Sequence, residues 1–497
     1  MGRMIQLPSP DPEIVARRDE IVAALKRLVP DGVIFKPAGL AAYDGDALAA
    51  YRQAPLACAL PKTKEEVSAV LAFAHEMGVP IVPRGAGTSL SGGALPRADG
   101  ILLGLSRMNR ILEVDIENRC VVTEPGVTNA AITRAVEGHG FYYAPDPSSQ
   151  IACTIGGNIA ENSGGLHCLK YGLTTHNLLG VEFALPDGER LRLGGKAAGG
   201  EGLDLLGVVC GSEGLLGVVV EATVRILPKP RCARTLLAAF QSVPNSGACV
   251  ANIIAAGIVP AAMEFMDRRC IEAVEVYCAP GYPKAEAILI IEIDGLPSEV
   301  TDAVARVTEI ARASGAHEVR EATDDRERER LWKGRKAAFS AMGRLAPDML
   351  CMDGTIPRRA LPAVLARMAE MAKEYGLGFC NVFHAGDGNL HPLIIFDVMK
   401  EGELERAETF GAEILRLCVN VGGVLTGEHG VGVEKRDLMP EMFSEADLAQ
   451  QQRLKCAFDS ASLCNPGKVF PMLSACIEQG HVHVKRGAMR HQELPRF

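Results

Sequence analysis

Along the first fifty residues the apolar positions recur at helical spacing, as in "PEIVARRDEIVAALKRLVP", and predict a helical lead-in. At 61–78, "PKTKEEVSAVLAFAHEMG" carries a fuller helix signature. Thr63 stands at the N-cap with Glu66 three residues on; Val67, Val70, Leu71 and Ala74 make one apolar face, and Gly78 stops it. The period then shortens. "VPIVPRG" predicts a short strand, and "ILLGLSRMNRILEVD", beyond a glycine-rich loop, predicts more strand. Strand, glycine loop, strand is not the order a nicotinamide-binding βαβ unit requires.

Strand and helix signals alternate to about residue 228, where Pro228 and Pro230 mark a linker. Past it, "RTLLAAFQSV", "AAMEFMD", "AILIIEIDG" and "AHEVREA" predict a second unit, with helices near 245–256, 299–313, 358–375 and 402–419. That order fits an antiparallel sheet covered by helices, an α+β class.

A chain of 497 residues with 48% hydrophobic content has enough apolar surface for two or three packed domains. The net charge of -9 argues against nucleic acid as a partner. The 15 cysteines are odd in number and scattered, with no CxxC, which argues against both a disulfide scaffold and an iron–sulfur ligand set in this chain. The N-terminal stretch has prolines and charges where a signal peptide needs apolar residues, and no run nears the ~20 apolar residues of a membrane span. A cytoplasmic protein is expected, with peripheral membrane attachment through a partner left open.

Glycines concentrate in "PRGAGTSLSGG" (83–93), "TIGGNIAENSGG" (154–165) and "GSEGLLGVV" (211–219). Without Cβ atoms such loops let backbone N–H groups converge on an anion such as a pyrophosphate. Neither GxGxxG nor GxxxxGK[ST] is present, so a nucleotide-like ligand is expected, but neither nicotinamide nor ATP.

Together with "EPGVTNAAITRAVEGHGFYYAPDPSS", "YGLTTHNLLGVEFALPDG" and "VEATVRILPKP", these loops resemble the flavin domain of the vanillyl-alcohol oxidase superfamily. Within it the chain is similar to the group of glycolate oxidase FAD subunits and D-lactate and D-2-hydroxyglutarate dehydrogenases, over roughly residues 50–471. The resemblance implies a two-subdomain PCMH-type FAD-binding domain plus a substrate (cap) domain. It implies FAD contacts from Arg84, Gly85, Ala86, Gly87, Thr88 and Ser89 at the pyrophosphate. Pro145, Asp146, Ser148, Ser149, Gly156, Gly157, Asn162 and Ser163 would line the ribityl and ring region, and Glu213, Gly214, Gly217, Val218 and Val219 the adenosine and ring. "RGAGTSL" lacks the histidine through which some relatives attach flavin, so noncovalent FAD is expected. "NPGKVFP" is similar to the family's return to the flavin domain, with Lys468 near the flavin. The division expected is a lead-in at 1–52, the FAD domain at 53–230, the substrate and metal domain at 231–440, the return at 441–475 and a tail at 476–497.

"HAGDGNLH" (384–391) lies between two strand-like runs, so His384 and His391 would flank a hairpin mouth. A second glycine-rich turn, "GGVLTGEHGVG" (422–432), holds Glu428 and His429. Two imidazoles and a carboxylate suit a divalent metal with open positions, zinc or a manganese- or iron-like ion. By the resemblance His384, His391 and Glu428 are the ligands, His429 the base, and Arg335 in "LWKGRKAAF" grips the substrate carboxylate. Relatives that take 2-hydroxyglutarate carry a lysine where Cys351 stands, so a small monocarboxylate, glycolate or D-lactate, is the expected substrate. Electrons would pass to a separate partner, an iron–sulfur subunit or a soluble carrier, and an oligomer is left open. Alternatives are a stand-alone D-lactate or D-2-hydroxyglutarate dehydrogenase, a non-redox enzyme of the alkylglycerone-phosphate synthase kind, and a silent FAD subunit.

Overall fold

The computed structural model describes residues 5–197 and 202–472; the expected tail at 476–497 lies outside them. Among the described residues the first unit holds two main sheets and a short two-stranded one that pairs Leu227–Pro228 with Phe141–Tyr142. The smaller main sheet orders Val33–Ile34, Ala57–Ala59, Ile101–Gly104 and Ile81–Arg84, with the last three parallel. The larger is antiparallel and orders Ile111–Asp115, Cys120–Thr123, Val218–Arg225, Leu178–Ala184 and Arg190–Gly194.

The run "ILLGLSRMNRILEVD" therefore feeds both sheets. Its first four residues are buried between neighbours, whereas Leu112 and Val114 are exposed on an edge strand. The helix Lys64–Met77 follows its signature: Glu66 N–H donates to Thr63 Oγ1 (3.2 Å), the four predicted apolar residues are buried, and Gly78 takes φ +67°. A left-handed cap of this kind releases the chain without a Cβ penalty.

The second unit is built on one seven-stranded antiparallel sheet. Its order is Ala316–Glu321, Cys232–Phe240, Ala287–Gly295, Ala262–Asp267, Gly378–His384, Pro392–Phe396 and Asp348–Cys351. Both faces are covered, which is why its central strands read as unbroken apolar runs. Leu236, Ala238 and Phe240 point into the layer of helices Val243–Ala255, Pro297–Ala313, Leu361–Tyr375 and Glu403–Asn420. Leu237 and Ala239 point the other way, toward Arg268–Cys278, Asp325–Lys336 and Ala338–Met342. Near the C-terminus the chain runs back to the first unit. Ile81 N–H donates to Leu463 O (2.8 Å), and Asn465 N–H to Ile81 O (2.7 Å). The candidate site sits between the two units.

Candidate active site

The glycine loops pack on one another where side chains would collide. A Cβ on Gly85 would overlap Thr154 Oγ1, and one on Gly217, at φ +146°, would overlap Ala184 O. The loops border a cavity of about 480 Å³, within the ordinary range for a small-molecule site. Arg84, Gly85, Ala86, Gly87, Thr88, Ser89, Ser148, Ser149, Gly156, Gly157, Ser163, Glu213, Gly214, Gly217, Val218 and Val219 all line it. Pro145, Asp146 and Asn162 do not. Pro145 O accepts from Asn129 Nδ2 (2.7 Å), Asp146 pairs with His167 (2.8 Å), and Asn162 caps the helix Ile155–Glu161 in the left-handed region. A narrow cavity walled by glycines and backbone suits a flat, phosphate-bearing cofactor such as FAD.

The same cavity reaches His391, Glu428 and His429 of the second unit. His384 ends the strand Gly378–His384, and His391 immediately precedes Pro392–Phe396, so the hairpin brings both imidazoles to its mouth. His384 Nε2 lies 3.3 Å and His391 Nε2 3.2 Å from Glu428 Oε1. Ligand atoms of all three lie within 4.8 Å of one another. His391 Nε2 is buried and makes no well-formed hydrogen bond among the described residues, although Glu428 Oε1 and Asp353 Oδ1 lie 3.2 and 3.4 Å away, an arrangement that invites an ion between them. A second triad, Asp353, His391 and His429, is equally compact. Asp353, however, is already occupied by the backbone N–H groups of Gly427 (2.9 Å), Glu428 (3.2 Å) and His429 (2.9 Å) and by the Thr426 hydroxyl. Of the two groups, the first keeps more of its ligand atoms free of other hydrogen bonds.

Glu264 meets Arg335 at 2.6 Å and Asp353 meets Lys435 at 3.4 Å, whereas Glu428 Oε1 is met by imidazoles, at 3.3 Å from His384 and 3.2 Å from His391. Burial alone would push the Glu428 carboxyl up, but His384 and His391 outweigh it and hold it well below the usual range. Burial would lower His384, yet Glu264 and Glu428 draw it well above its ordinary value. His429 stacks on His391 at 4.8 Å, and burial dominates there, lowering it to about 4. Its Nδ1 has no hydrogen-bond partner among the described residues.

Arg335, in the helix Asp325–Lys336, is buried and does not line the cavity. Its guanidinium meets Glu264 Oε2 at 2.6 and 2.8 Å, while Glu264 Oε1 contacts His384 Nδ1 at 2.7 Å. The neighbouring Lys336, with Phe339 and Ser340, does line it. Cys351 is buried and also stands off the cavity, its Sγ near Met352 O. Lys468 is buried on Gly93 O (2.9 Å), Leu95 O (2.7 Å) and Asn465 Oδ1 (2.6 Å).

Sequence reasoning missed Glu264, Asp353, Lys435 and Glu161. Glu161 lines the cavity with a buried oxygen that has no partner. Glu264 carried a signal: it is an acid flanked on both sides by apolar residues in "AAMEFM", and a buried acid needs a partner.

Two family descriptions match the chain: "FAD binding domain" over residues 55–194 and "FAD linked oxidases, C-terminal domain" over 229–469. The chain belongs to the FAD-linked oxidases. It is 51% identical to glycolate oxidase subunit GlcD of Escherichia coli (strain K12), with 97% of each chain covered. It is 35% identical to a D-lactate dehydrogenase of Archaeoglobus fulgidus, with 82% of this chain and 90% of that one covered. Among solved structures, 4-ethylphenol oxidase from Gulosibacter chungangensis superimposes with a TM-score of 0.78 at 18% identity, covering 95% of this chain and 100% of that one. That likeness carries the fold alone, and the fold is the expected PCMH-type FAD-binding domain with a second, antiparallel unit. Among the described residues no helix is long and apolar enough to cross a membrane.

Proposed function

We propose that this FAD-linked oxidase converts a small 2-hydroxy acid, glycolate or D-lactate, to its 2-oxo acid, using noncovalent FAD and a divalent metal. The observation that supports it is the single cavity bordered by the glycine loops at one end and by His391, Glu428 and His429 at the other. The names of the relatives, glycolate oxidase subunit and D-lactate dehydrogenase, point to the same substrate class. In this reading residues 53–230, with 441–475 returning to them, hold FAD, and residues 231–440 hold metal and substrate.

Oxidation of the acid takes a proton from the hydroxyl and a hydride from C2. The glycine loops would hold FAD, which would supply the hydride acceptor, and His384, His391 and Glu428 would hold a divalent cation, which would supply the acidity of the hydroxyl. His429 receives the hydroxyl proton on the partnerless Nδ1. The Arg335–Lys336 step forms the cationic end for the substrate carboxylate: Lys336 faces the cavity, and Arg335 lies behind it on Glu264. The preference for monocarboxylates rests on the resemblance alone, since Cys351, where relatives that take 2-hydroxyglutarate carry a lysine, stands off the cavity. Electrons leave to a separate protein, an iron–sulfur subunit or soluble carrier, since the cysteines offer no CxxC cluster of their own.

The test is the visible spectrum of purified protein without oxygen, before and after glycolate, D-lactate or D-2-hydroxyglutarate. Bleaching of a flavin band by either monocarboxylate, faster than by the dicarboxylate, is expected. A flavin band that no acid bleaches, even with added divalent metal, overturns the reading.

A further inference from the structure

Glu264 lies directly opposite His384 in the antiparallel pair formed by Ala262–Asp267 and Gly378–His384. The side chains of Glu264 and Arg335 are 0% and 1% exposed. Each carboxylate oxygen of Glu264 has its own task. Oε1 contacts His384 Nδ1 at 2.7 Å, and Oε2 takes the Arg335 guanidinium at 2.6 and 2.8 Å. A histidine that presents Nε2 to a cation must carry its proton on Nδ1, and a carboxylate there fixes that tautomer and the ring's orientation. Arg335 lies in the last turn of the helix Asp325–Lys336, and the chain runs straight on into Lys336, Phe339 and Ser340 on the cavity wall.

We infer that Glu264 is a positioning residue that joins the metal site to the substrate-carboxylate end of the cavity, holding His384 with one oxygen and Arg335 with the other. This rests on the reading of His384 as a metal ligand. Glutamine cannot replace the carboxylate. With its oxygen toward His384, its amide nitrogen faces the guanidinium, donor against donor; reversed, it faces Nδ1–H in the same way.

The experiment uses the full FAD-loaded chain, stripped of metal by chelator and titrated with Zn²⁺ against a chromophoric competitor. Glu264→Gln is expected to weaken Zn²⁺ binding by about 10–100-fold. The flavin spectrum should be unchanged, and the KM for glycolate should rise. Because an unpaired buried arginine destabilises the fold, the double variant Glu264→Leu/Arg335→Met is titrated alongside. It removes both charges together and leaves His384 Nδ1 without an acceptor, so its Zn²⁺ affinity should stay low. If wild type binds Zn²⁺ and Glu264→Gln binds it equally, the inference falls while the metal reading stands. Recovery of wild-type affinity in the double variant also overturns it, because charge imbalance alone then explains the single variant. If wild type takes up no Zn²⁺, the metal reading falls and this inference with it.

Discussion

The two ends of the cavity are built on opposite principles. The flavin-side end is made of absence: glycines whose missing Cβ atoms let the loops touch. The second end is made of buried charge, a chain of contacts running from Arg335 through Glu264, His384, Glu428 and His391 to Asp353 and Lys435. One link between them is Glu213, which holds an uncommon left-handed backbone (φ +50°) on the flavin side. Its carboxylate accepts the N–H groups of Val431 and Gly432 at 2.7 Å each, just past the turn carrying Glu428 and His429. Backbone cradles tolerate most chemistry but not bulk; charge networks tolerate bulk poorly and the loss of one partner worse.

The comparison breaks most visibly at His429. His429→Ala should leave FAD bound and slow flavin reduction by glycolate ~10²–10⁴-fold, as loss of a general base does. Stopped-flow absorbance of the flavin band measures it, and an unchanged rate would remove His429 from the chemistry. At the other end, Gly85→Ala drives a Cβ into Thr154 Oγ1. Overpacking of this kind costs about 1–3 kcal/mol, so FAD affinity should drop roughly tenfold or more while Zn²⁺ affinity stays at the wild-type value. Equal loss of both would mean that the two ends are not separable.

Arg335→Lys keeps the charge but loses the fork on Glu264. We expect a rise in the KM for glycolate of about tenfold, in line with the roughly 1.5 kcal/mol of a hydrogen bond to a charged group. An unaltered KM would leave Arg335 as packing only.

The same contrast decides how much was legible in the sequence. The glycine loops announce themselves because each is contiguous, and the convergence of 83–93, 154–165 and 211–219 on one cavity needed only their order. The hairpin histidines were legible for the same reason: seven residues with a turn between them. Glu264 was not, since its partners lie 71 and 120 residues away. Nor was Asp353, whose bonds to the Glu428 turn span 74 to 76 residues. Arg335 sits in the charge-rich run "DDRERERLWKGRK", where pattern alone gives a solvated face, and only tertiary packing shows which arginine turns inward. "ILLGLSRMNRILEVD" read as one region of strand because strand period survives a change of sheet.

The smallest expected effect lies where the two units meet away from the chemistry. His167 pairs with Asp146 at 2.8 Å and approaches Glu292 of the second unit at 3.4 Å. Burial alone would lower it, but the two carboxylates outweigh burial and raise it to about 10. Because the folded value exceeds the unfolded value near 6.5, the paired imidazolium contributes its full stability below pH 6.5 and loses it as pH rises through about 10. The side chain is 26% exposed, so solvent screens the pair and the gain is modest. Melting curves of wild type and His167→Gln should therefore differ by a few degrees at pH 6, with wild type higher. The two should converge near pH 10. A gap that widens with pH would mean that His167 is held neutral, and that its carboxylates are answered by other cations at the junction, of which Arg328, 2.9 Å from Glu292, is the nearest to hand.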